Sequence, residues 1–511
     1  MTEIIDAVSR RDAFRVLLGG AALPLLHGVA GWSPALAAAA ASADGLLRAA
    51  PESRGVSSAA ILGFLDAVAE NGFELQSFML WRRGAVLAEG WWAPYRADRV
   101  HMMHSLTKSV TGCAVGLAIG DGKFTLNDKV VSFFPEHLPP TVSDNLAAMK
   151  IEDLLTMRTG HAGMTSGSVW RPIKTSWIAE FFKIPVVTPP GTNFVYTSAA
   201  TYMLSAIVTR TTGQAVADYL KPRLFDPLGI EGYQWPAGPE GISPGANGLS
   251  WKTADALKLG ILHAQGGQWQ GKQILAKSWT DAVQAQHVPD TYGYQWWLGP
   301  GGIFLADGLF AQLSVVFPKQ EAVLAVTSAI PEGSHFNKFV FEKVGALFDR
   351  GGAGSAAALK QRTATLALLP PPRRTASPLI RHVSGNLYQF PDNPDQVKSA
   401  RFDFAGDLCT FTLEDHRGAH SVAVGLGRAV EGDTTMTGNK LHHEYELDQM
   451  RVVASGEWTD ERTFVMTWIF VETAFRDTVT CQFEGPALRF DRRVNVNSAD
   501  LSLPTLLGKM V

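Results

Sequence analysis

The pattern of hydrophobic positions after the first forty residues predicts a helix followed by a β-hairpin. Over residues 57–70, apolar side chains recur at helical spacing. Two apolar runs follow at 78–81 and 85–88, and Arg82-Arg83-Gly84 lies between them as a turn. A sheet therefore begins in this part of the chain.

The sequence then turns helical before strand patterns return. Residues 105–119 predict a buried helix that stops at Gly120-Asp121-Gly122, and short apolar or alternating runs reappear only at 303–305, 313–317 and 322–327. Strands on both sides of a helical middle predict an α/β (α+β) fold. In this fold the chain leaves one antiparallel sheet, forms an all-helical subdomain and then returns to the same sheet. Helices also flank the sheet.

The last part of the chain has a different pattern. Residues 351–378 are rich in Gly, Ala, Thr and Pro, as interdomain linkers are. Beyond them, apolar and polar residues alternate in the strand-like segments 400–404, 408–413, 463–471 and 478–483. We therefore expect a main domain at residues 50–350, a linker at 351–378 and a small C-terminal β domain at 379–500.

The beginning of the chain has the pattern of a targeting segment. Ser9-Arg10-Arg11 precedes an apolar run at 16–30 and then Ala35-Leu36-Ala37. This pattern is typical of a twin-arginine export signal, with the usual phenylalanine displaced to Phe14; the alternative is a short buried helix. We expect residues 1–40 to be a signal peptide and the protein to be periplasmic or secreted. We expect no membrane span in the mature form, because no other stretch reaches the length needed to cross a bilayer.

Composition removes several classes of function. The 511-residue chain has a formal net charge of −3 and no later Lys/Arg block, so nucleic-acid binding through a basic face has no support. Cys113, Cys409 and Cys481 are too far apart in sequence to indicate a disulfide framework. The histidines form no HExxH and no Cys/His ligand spacing, and we predict no metal.

The segment Ser105-Leu106-Thr107-Lys108 places a serine and a lysine one helical turn apart on the same face. Ser105 lies where the predicted helix begins, and free backbone N–H groups and the helix dipole favour negative charge there. Lys108 enters an apolar surface that includes Val110 and Cys113, and burial lowers the pKa of a lysine. A neutral amine can take the proton of a serine hydroxyl. For this motif alone, a helix-capping serine with a solvated lysine is the alternative.

A second segment, residues 192–198, contains Tyr196-Thr197-Ser198 and follows Pro189-Pro190-Gly191. Together with the first motif it resembles the serine β-lactamase and penicillin-binding-protein superfamily, and more narrowly its class C-related branch of carboxylesterases and 6-aminohexanoate-dimer hydrolases. The resemblance covers roughly residues 78–330, and the C-terminal β domain resembles the lipocalin-like tail of some of these hydrolases. The further matching segments are His104, residues 153–160 (DLLTMRTG), residues 227–230 (PLGI) and residues 292–297 (YGYQWW).

The resemblance implies roles for individual residues. Ser105 is the implied nucleophile, and Lys108 and Tyr196 are assigned jointly as the groups that share or relay its proton. Ser198 stands where related sequences have Ser or Asn, and it is a candidate either for substrate contact or for capping the next helix. Trp177 belongs to a set of aromatic residues that are candidates for an apolar acyl pocket, with core packing as the alternative. That set is Trp170, Trp177, Phe181, Phe182, Trp296 and Trp297.

The third motif of the superfamily is altered here. Relatives carry Lys-Thr-Gly, His-x-Gly or a similar sequence on an inner strand, and we align Leu309-Phe310-Ala311 with it. We expect the backbone N–H groups of Ser105 and Gln312 to form an oxyanion hole, because amide donors do not depend on the side chain. Penicillin-binding enzymes use a polar group at this position near the substrate carboxylate. An apolar Leu309, as a candidate substrate contact, therefore favours a neutral ester or amide over a β-lactam.

The stretch Gly241-Ile242-Ser243-Pro244-Gly245 matches the GxSxG pattern of a different serine hydrolase fold. That nucleophile elbow needs the backbone N–H of the residue after the serine, and Pro244 has none. We interpret the stretch as a turn.

The sequence therefore predicts a serine hydrolase that cleaves an ester or amide bond of a small molecule through an acyl-enzyme on Ser105, without a cofactor. One alternative is a β-lactamase or a D-amino-acid peptidase with the same nucleophile. The other is a non-catalytic binding protein on the same fold, which the altered third motif keeps open.

Overall fold

The computed structural model describes residues 44–165, 167–348, 354–369, 374–436, 440–445 and 447–511. The predicted signal peptide at 1–40 lies outside the described residues. All described residues belong to one compact unit, Ala41–Val511. Within them, no helix is both long enough and apolar enough to cross a membrane.

The central sheet joins strands from both sides of the helical middle, as predicted. Among the described residues it contains six strands in the order β2-β1-β10-β9-β8-β7, and each neighbouring pair is antiparallel. Phe78 of β1 lies opposite Val326 of β10. The N-terminal hairpin β1–β2 therefore pairs with β10, the last strand of this sheet in sequence order. The strands are β1 (Leu75–Arg82), β2 (Ala85–Trp91), β7 (Trp297–Leu298), β8 (Phe304–Gly308), β9 (Gln312–Phe317) and β10 (Ala322–Ser328). Two short pairs accompany them, β3 (His101–Met102) with β4 (Ser250–Trp251) and β5 (Gln268–Trp269) with β6 (Lys272–Gln273).

Helices cover the sheet and form the helical subdomain between β3 and β7. The first begins where the apolar pattern predicted, because the Ser57 hydroxyl accepts the Ala59 N–H as an N-cap at 3.2 Å. The helices are α1 (Ser58–Glu70), α2 (Thr107–Gly120), α3 (Asp144–Ala148), α4 (Ile151–Leu155), α5 (Gly167–Trp170), α6 (Trp177–Lys183), α7 (Ser198–Thr212), α8 (Val216–Leu220), α9 (Asp226–Leu228), α10 (Thr253–Ala264), α11 (Lys277–Val283), α12 (Phe336–Gly345), α13 (Ala356–Ala364) and α14 (Ile380–Val383).

Helix α2 lies inside the molecule, with every residue from Thr107 to Val115 buried. Small residues let its neighbours approach closely: a Cβ at Gly116 would lie 2.5 Å from the Trp279 ring. A helix that is enclosed in this way carries any polar side chain on its first turn into a dry environment. Lys108 is such a side chain.

A second, C-terminal sheet confirms the predicted β-rich end of the chain. Its ten described strands follow the order β14-β13-β12-β11-β20-β19-β18-β17-β16-β15, and a parallel pairing of β14 with β16 closes the sheet on itself. Burial alternates along β13, as the period of a strand with one buried face requires. The strands are β11 (Leu387–Gln389), β12 (Ser399–Ala405), β13 (Leu408–Asp415), β14 (Gly418–Leu426), β15 (Val430–Thr434), β16 (Met450–Trp458), β17 (Thr463–Phe470), β18 (Arg476–Glu484), β19 (Ala487–Val494) and β20 (Leu506–Met510).

Residues 354–366 of the predicted linker are packed against the central sheet. Helix α13 lies within it, and Leu359 and Leu366 are buried in the core that covers β1 and β2. The backbone N–H of Ala93 also donates to the carbonyl of Leu366 at 3.0 Å. The composition of this segment did not indicate those contacts.

The C-terminal sheet contacts the segment that leads into α2. The Met102 N–H donates to the Glu472 carbonyl at 2.8 Å, and the Tyr95 hydroxyl donates to the Thr473 carbonyl at 2.8 Å. The loop between β17 and β18 therefore lies directly against the strand that precedes Ser105.

Candidate active site

Ser105 occupies a single 3-10 turn, His104–Leu106, immediately before α2. The turn is fixed from two sides. The Met103 N–H donates to the Leu249 carbonyl at 2.9 Å, and Gly308 at the end of β8 approaches so closely that a Cβ there would lie 2.1 Å from the Met103 carbonyl oxygen. Because both contacts precede the serine, they fix the backbone that aims its hydroxyl.

Lys108 lies one turn further along, with 1% of its surface exposed. Its Nζ is 3.0 Å from the Ser105 Oγ, 3.1 Å from the Ala246 carbonyl oxygen and 3.3 Å from the Ser198 Oγ. Burial lowers the pKa of Lys108 from its ordinary value to about 7, because an apolar environment disfavours the charged amine. A substantial fraction of this amine is therefore neutral at neutral pH and able to accept a proton.

Tyr196 lies two residues before α7 and brings its phenol to the same place. Its side chain lines the same cavity as Ser105, and the Lys108 Nζ lies 4.9 Å from the centre of its ring. Burial raises the pKa of Tyr196 above its ordinary value, and its hydrogen bonds with Ser105 and Trp297 only partly oppose that rise. The phenol is therefore protonated at neutral pH and can donate a proton. The structure thus brings together the three residues that the two motifs predicted.

Ser105 and Tyr196 open onto a cavity of about 260 Å³. One wall is the end of β8 and the turn that follows it, and the other is the segment before α12 together with the start of that helix. The lining residues are Ser105, Tyr196, Trp297, Asp307, Gly308, Leu309, Phe310, Ala311, Ile330, Pro331, Glu332, Gly333, Ser334, Phe336 and Asn337. Among these described lining residues there are two carboxylates, Asp307 and Glu332, and no Lys, Arg or His.

Asp307 is the lining residue whose importance the sequence did not indicate. The Asn337 side-chain amide donates to its Oδ2 at 2.7 Å. Burial raises the pKa of Asp307 to about 6, the Asn337 hydrogen bond opposes the rise and the nearby Glu332 adds to it. The carboxyl group is thus charged over most of the neutral range. A signal was present in the sequence, since an Asp-Gly pair stands at the end of β8, directly before the altered third motif.

The other predicted site residues are distributed around this cleft. Leu309 lines it, and Ser198 faces the Lys108 amine rather than the cavity. Trp177 borders a separate small cavity of about 20 Å³ that it shares with Ser198 and Trp170, and its ring packs against Tyr202. Of the six aromatic candidates for an acyl pocket, Trp297 is the one that lines the cleft.

Gln312 does not reach the lining of the cleft. It is fully buried in β9, where its side-chain amide donates to the carbonyls of Ser328 at 2.8 Å and Phe310 at 3.2 Å. The turn that precedes Gln312 lines the cleft together with Ser105. Phe310 and Ala311 in that turn have φ values of 63° and 62°, the left-handed region that costs energy for residues with a side chain. The turn is thus held in a conformation that its own residues do not prefer.

The GxSxG stretch has none of the features of a nucleophile elbow. It begins at the last residue of a 3-10 turn, Pro239–Gly241, and none of the described strands leads directly into it. Ser243 has 2% of its surface exposed, and its carbonyl accepts the Ser205 hydroxyl at 2.7 Å. A buried turn residue of this kind is not a nucleophile. Across the described ranges, no group of three or more His, Cys, Asp or Glu side chains has the arrangement of a metal site.

The antiparallel sheet, the enclosed helix and the Ser-Lys-Tyr cluster define a serine hydrolase of the β-lactamase fold. The chain belongs to the Beta-lactamase family, whose model matches residues 44–342.

Individual relatives agree with this assignment. The chain is 23% identical over 286 residues to the 6-aminohexanoate-dimer hydrolase of Paenarthrobacter ureafaciens, an alignment that covers 50% of this chain and 73% of that protein. It is 27% identical over 186 residues to the esterase EstB of Burkholderia gladioli, covering 33% of this chain and 46% of that one. A solved structure of a candidate beta-lactamase from Bacteroides dorei superposes with a TM-score of 0.50 at 14% identity, over 58% of this chain and 100% of that one. This last likeness shows the fold alone.

Proposed function

We propose that the protein hydrolyses the ester or amide bond of a small molecule through an acyl-enzyme on Ser105, as a carboxylesterase or a 6-aminohexanoate-oligomer hydrolase does. The observation that carries the proposal is the 3.0 Å contact between the Ser105 hydroxyl and the buried Lys108 amine, whose pKa lies at about 7. A serine with an adjacent neutral base is the arrangement that nucleophilic catalysis requires.

The different pKa directions of Lys108 and Tyr196 suggest different tasks. In acylation, the neutral Lys108 amine takes the proton of Ser105 while Oγ forms a bond to the substrate carbonyl carbon. The tetrahedral intermediate then collapses, the bond to the leaving group breaks, and the Tyr196 phenol gives that group a proton, which Lys108 replaces. In deacylation, water attacks the acyl carbon, its proton passes to the same pair, and Ser105 leaves with a proton.

The oxyanion of each tetrahedral intermediate needs two donors. The N–H of Ser105, at the start of a helical segment, is one. The backbone N–H of Gln312, the first residue of β9, is the predicted second. An amide of the turn 309–311, which lines the cleft with Ser105, is the alternative second donor.

The charges of the cleft suggest which substrates it accepts. Its described lining carries Asp307 and Glu332 and no cationic side chain, so a substrate with a carboxylate next to the scissile bond meets repulsion instead of an ion pair. This agrees with the apolar Leu309 and argues against penicillins. A neutral ester or amide, or one that bears an amine, fits the site.

Turnover of p-nitrophenyl butyrate and of benzylpenicillin tests this function. We expect ester hydrolysis by the wild type, its loss in Ser105→Ala, and no measurable penicillin hydrolysis. Penicillin turnover that depends on Ser105 would favour a β-lactamase or peptidase, whereas no turnover of either substrate would favour a non-catalytic binding protein.

We also propose export through the twin-arginine pathway, from the pattern in residues 1–40. Fractionation of cells that express the full chain tests this, with Arg10→Lys/Arg11→Lys as the variant. The expected result is a periplasmic or secreted wild type and a retained variant; equal retention of both contradicts the proposal.

A further inference from the structure

The residue before the nucleophile is held in an unfavourable backbone conformation. His104 has a φ of 48°, in the left-handed region, and 2% of its surface is exposed. Its Nε2 has no hydrogen-bond partner among the described residues, and burial lowers the pKa of the imidazole well below its ordinary value. A neutral, enclosed ring on a strained backbone keeps its place only if its surroundings fix it.

Those surroundings come from the C-terminal β domain. The Tyr445 hydroxyl lies 3.3 Å from the His104 Nδ1, and the centres of the two rings are 5.7 Å apart. Phe475, the residue before β18, meets the same imidazole edge-on at 6.5 Å. Neither residue is among those that line the cleft. Both therefore contact the nucleophile turn without facing the substrate.

The same contacts reach the turn after β8. The Phe310 ring packs edge-on against His104 at 5.4 Å and against Phe475 at 5.6 Å. With 1% of its surface exposed, Phe310 belongs to the hydrophobic core of the C-terminal sheet rather than to that of the central sheet. His104 and Phe310, both in the left-handed region, are thus packed on each other and on this domain.

A third contact ties the segment with Tyr445 to the helical subdomain. The Arg171 guanidinium lies over the Tyr445 ring at 4.4 Å and donates to the His443 carbonyl. Arg171 is also part of the small cavity that includes Ser198, whose hydroxyl contacts the Lys108 amine. The segment 440–445 therefore contacts His104, next to Ser105, and Arg171, which borders the same small cavity as Ser198.

We infer that the C-terminal β domain is a working part of the active site and that Tyr445 is a positioning residue, which holds His104, and through it the Ser105 hydroxyl, in place for attack. The inference rests on the proposed function, since it concerns the same nucleophile. It assigns a task to a domain whose role the sequence alone did not reveal.

Full-length Tyr445→Phe, Tyr445→Ala and Phe475→Leu variants test the inference through the second-order rate of fluorophosphonate labelling at 25 °C, kcat and KM for p-nitrophenyl butyrate, and Tm. Tyr445→Phe keeps the ring and loses the hydrogen bond, and we expect labelling and kcat to fall about 5-fold. Tyr445→Ala also loses the packing, and a misplaced nucleophile should slow both about 30-fold or more. KM should stay unchanged in all variants because none of these residues lines the cleft.

Tyr388→Phe is the matched control. Tyr388 is fully buried in the same C-terminal sheet and its hydroxyl has no hydrogen-bond partner among the described residues, so this variant should label and turn over like the wild type. Wild-type rates in all three test variants, including one whose Tm has dropped, overturn the inference, because the domain then only adds stability. An unlabelled wild type contradicts the proposed function instead.

Discussion

The Lys108 amine and the Ser105 hydroxyl lie 3.0 Å apart on the first turns of a helix that is buried on all sides. The burial that makes α2 an ordinary core helix is also what lowers the pKa of the amine. Burial of α2 therefore accounts both for the packing of this site and for the basicity of its amine. Substitution of Ser105 or Lys108 should reduce activity far more than it affects folding.

Replacing the base tests its role without opening the core. Lys108→Met keeps the length of the side chain and removes the amine, and we expect kcat/KM for p-nitrophenyl butyrate to fall at least about 10²-fold, the lower end of what general-base catalysis contributes. Tm should hold or rise, because a desolvated amine is removed. Lys258→Met is the control, since Lys258 is equally buried but bonds the Gly229 carbonyl and Asp255. If Lys108→Met lowers Tm but hardly lowers turnover per folded molecule, Lys108 is not the general base.

The pH dependence of acylation should report the Lys108 amine. Because the neutral form is the base and its pKa lies at about 7, kcat/KM should rise about tenfold per pH unit below 7 and level off above it. The rate of fluorophosphonate labelling should follow the same curve. The residual labelling rate of Lys108→Met should no longer rise with pH below 7. A wild-type labelling rate that is constant from pH 5 to 9 would show that another group is the base.

The phenol of Tyr196 should matter more when the leaving group needs a proton. Its raised pKa keeps it protonated at neutral pH, so Tyr196→Phe should slow cleavage of an anilide about tenfold more than cleavage of the matching p-nitrophenyl ester, whose leaving group departs as an anion. The ratio of the two kcat/KM values is the measurement. Equal losses on both substrates would mean that Tyr196 acts on Ser105 rather than on the leaving group.

Asp307 should discriminate against anionic substrates in a pH-dependent way. Its pKa of about 6 means that the carboxylate is charged at pH 7.5 and largely neutral at pH 5.5. At pH 7.5, Asp307→Asn should raise kcat/KM for p-nitrophenyl hydrogen glutarate about 5-fold, roughly the 1 kcal/mol of a partly screened repulsion, and leave the butyrate ester unchanged. At pH 5.5 the gain should shrink. Glu332 is exposed, so Glu332→Gln serves as the control and should raise kcat/KM for the anionic ester less. If Asp307→Asn does not raise that kcat/KM at either pH, Asp307 does not discriminate against anionic substrates.

A methyl group at Gly308 should disturb the nucleophile turn from the β8 side. The added Cβ would lie 2.1 Å from the Met103 carbonyl oxygen, so one of the two segments has to move. We expect Gly308→Ala to slow fluorophosphonate labelling about tenfold or more. Gly120→Ala is the matched control, because a Cβ at Gly120, at the end of α2, meets nothing within 4 Å. Labelling at the wild-type rate in Gly308→Ala would show that β8 does not position the turn.

The parts of the site that the sequence predicted are those coded by local patterns. Ser105 and Lys108 are three residues apart on one helix, and the alternating runs at both ends of the helical middle predicted that the sheet is left and rejoined. Tyr196 required the resemblance to a family, because nothing local joins it to Ser105.

The features that the sequence did not predict depend on contacts between distant segments. Phe310, in the turn after β8, packs into the core of the C-terminal sheet, and no local pattern indicates that contact. Tyr445 lies 341 residues after His104, and no periodicity or motif joins them. The sequence places Asp307 near the end of a strand, but the raised pKa of its carboxyl group depends on burial that only the folded structure creates.

The central claim is that Ser105 is the nucleophile, and intact-mass analysis after exposure to a fluorophosphonate tests it most directly. The account predicts a single adduct on the wild type, mapped to the peptide with Ser105, and none on Ser105→Ala. An unmodified wild type, or an adduct that persists in Ser105→Ala, contradicts it.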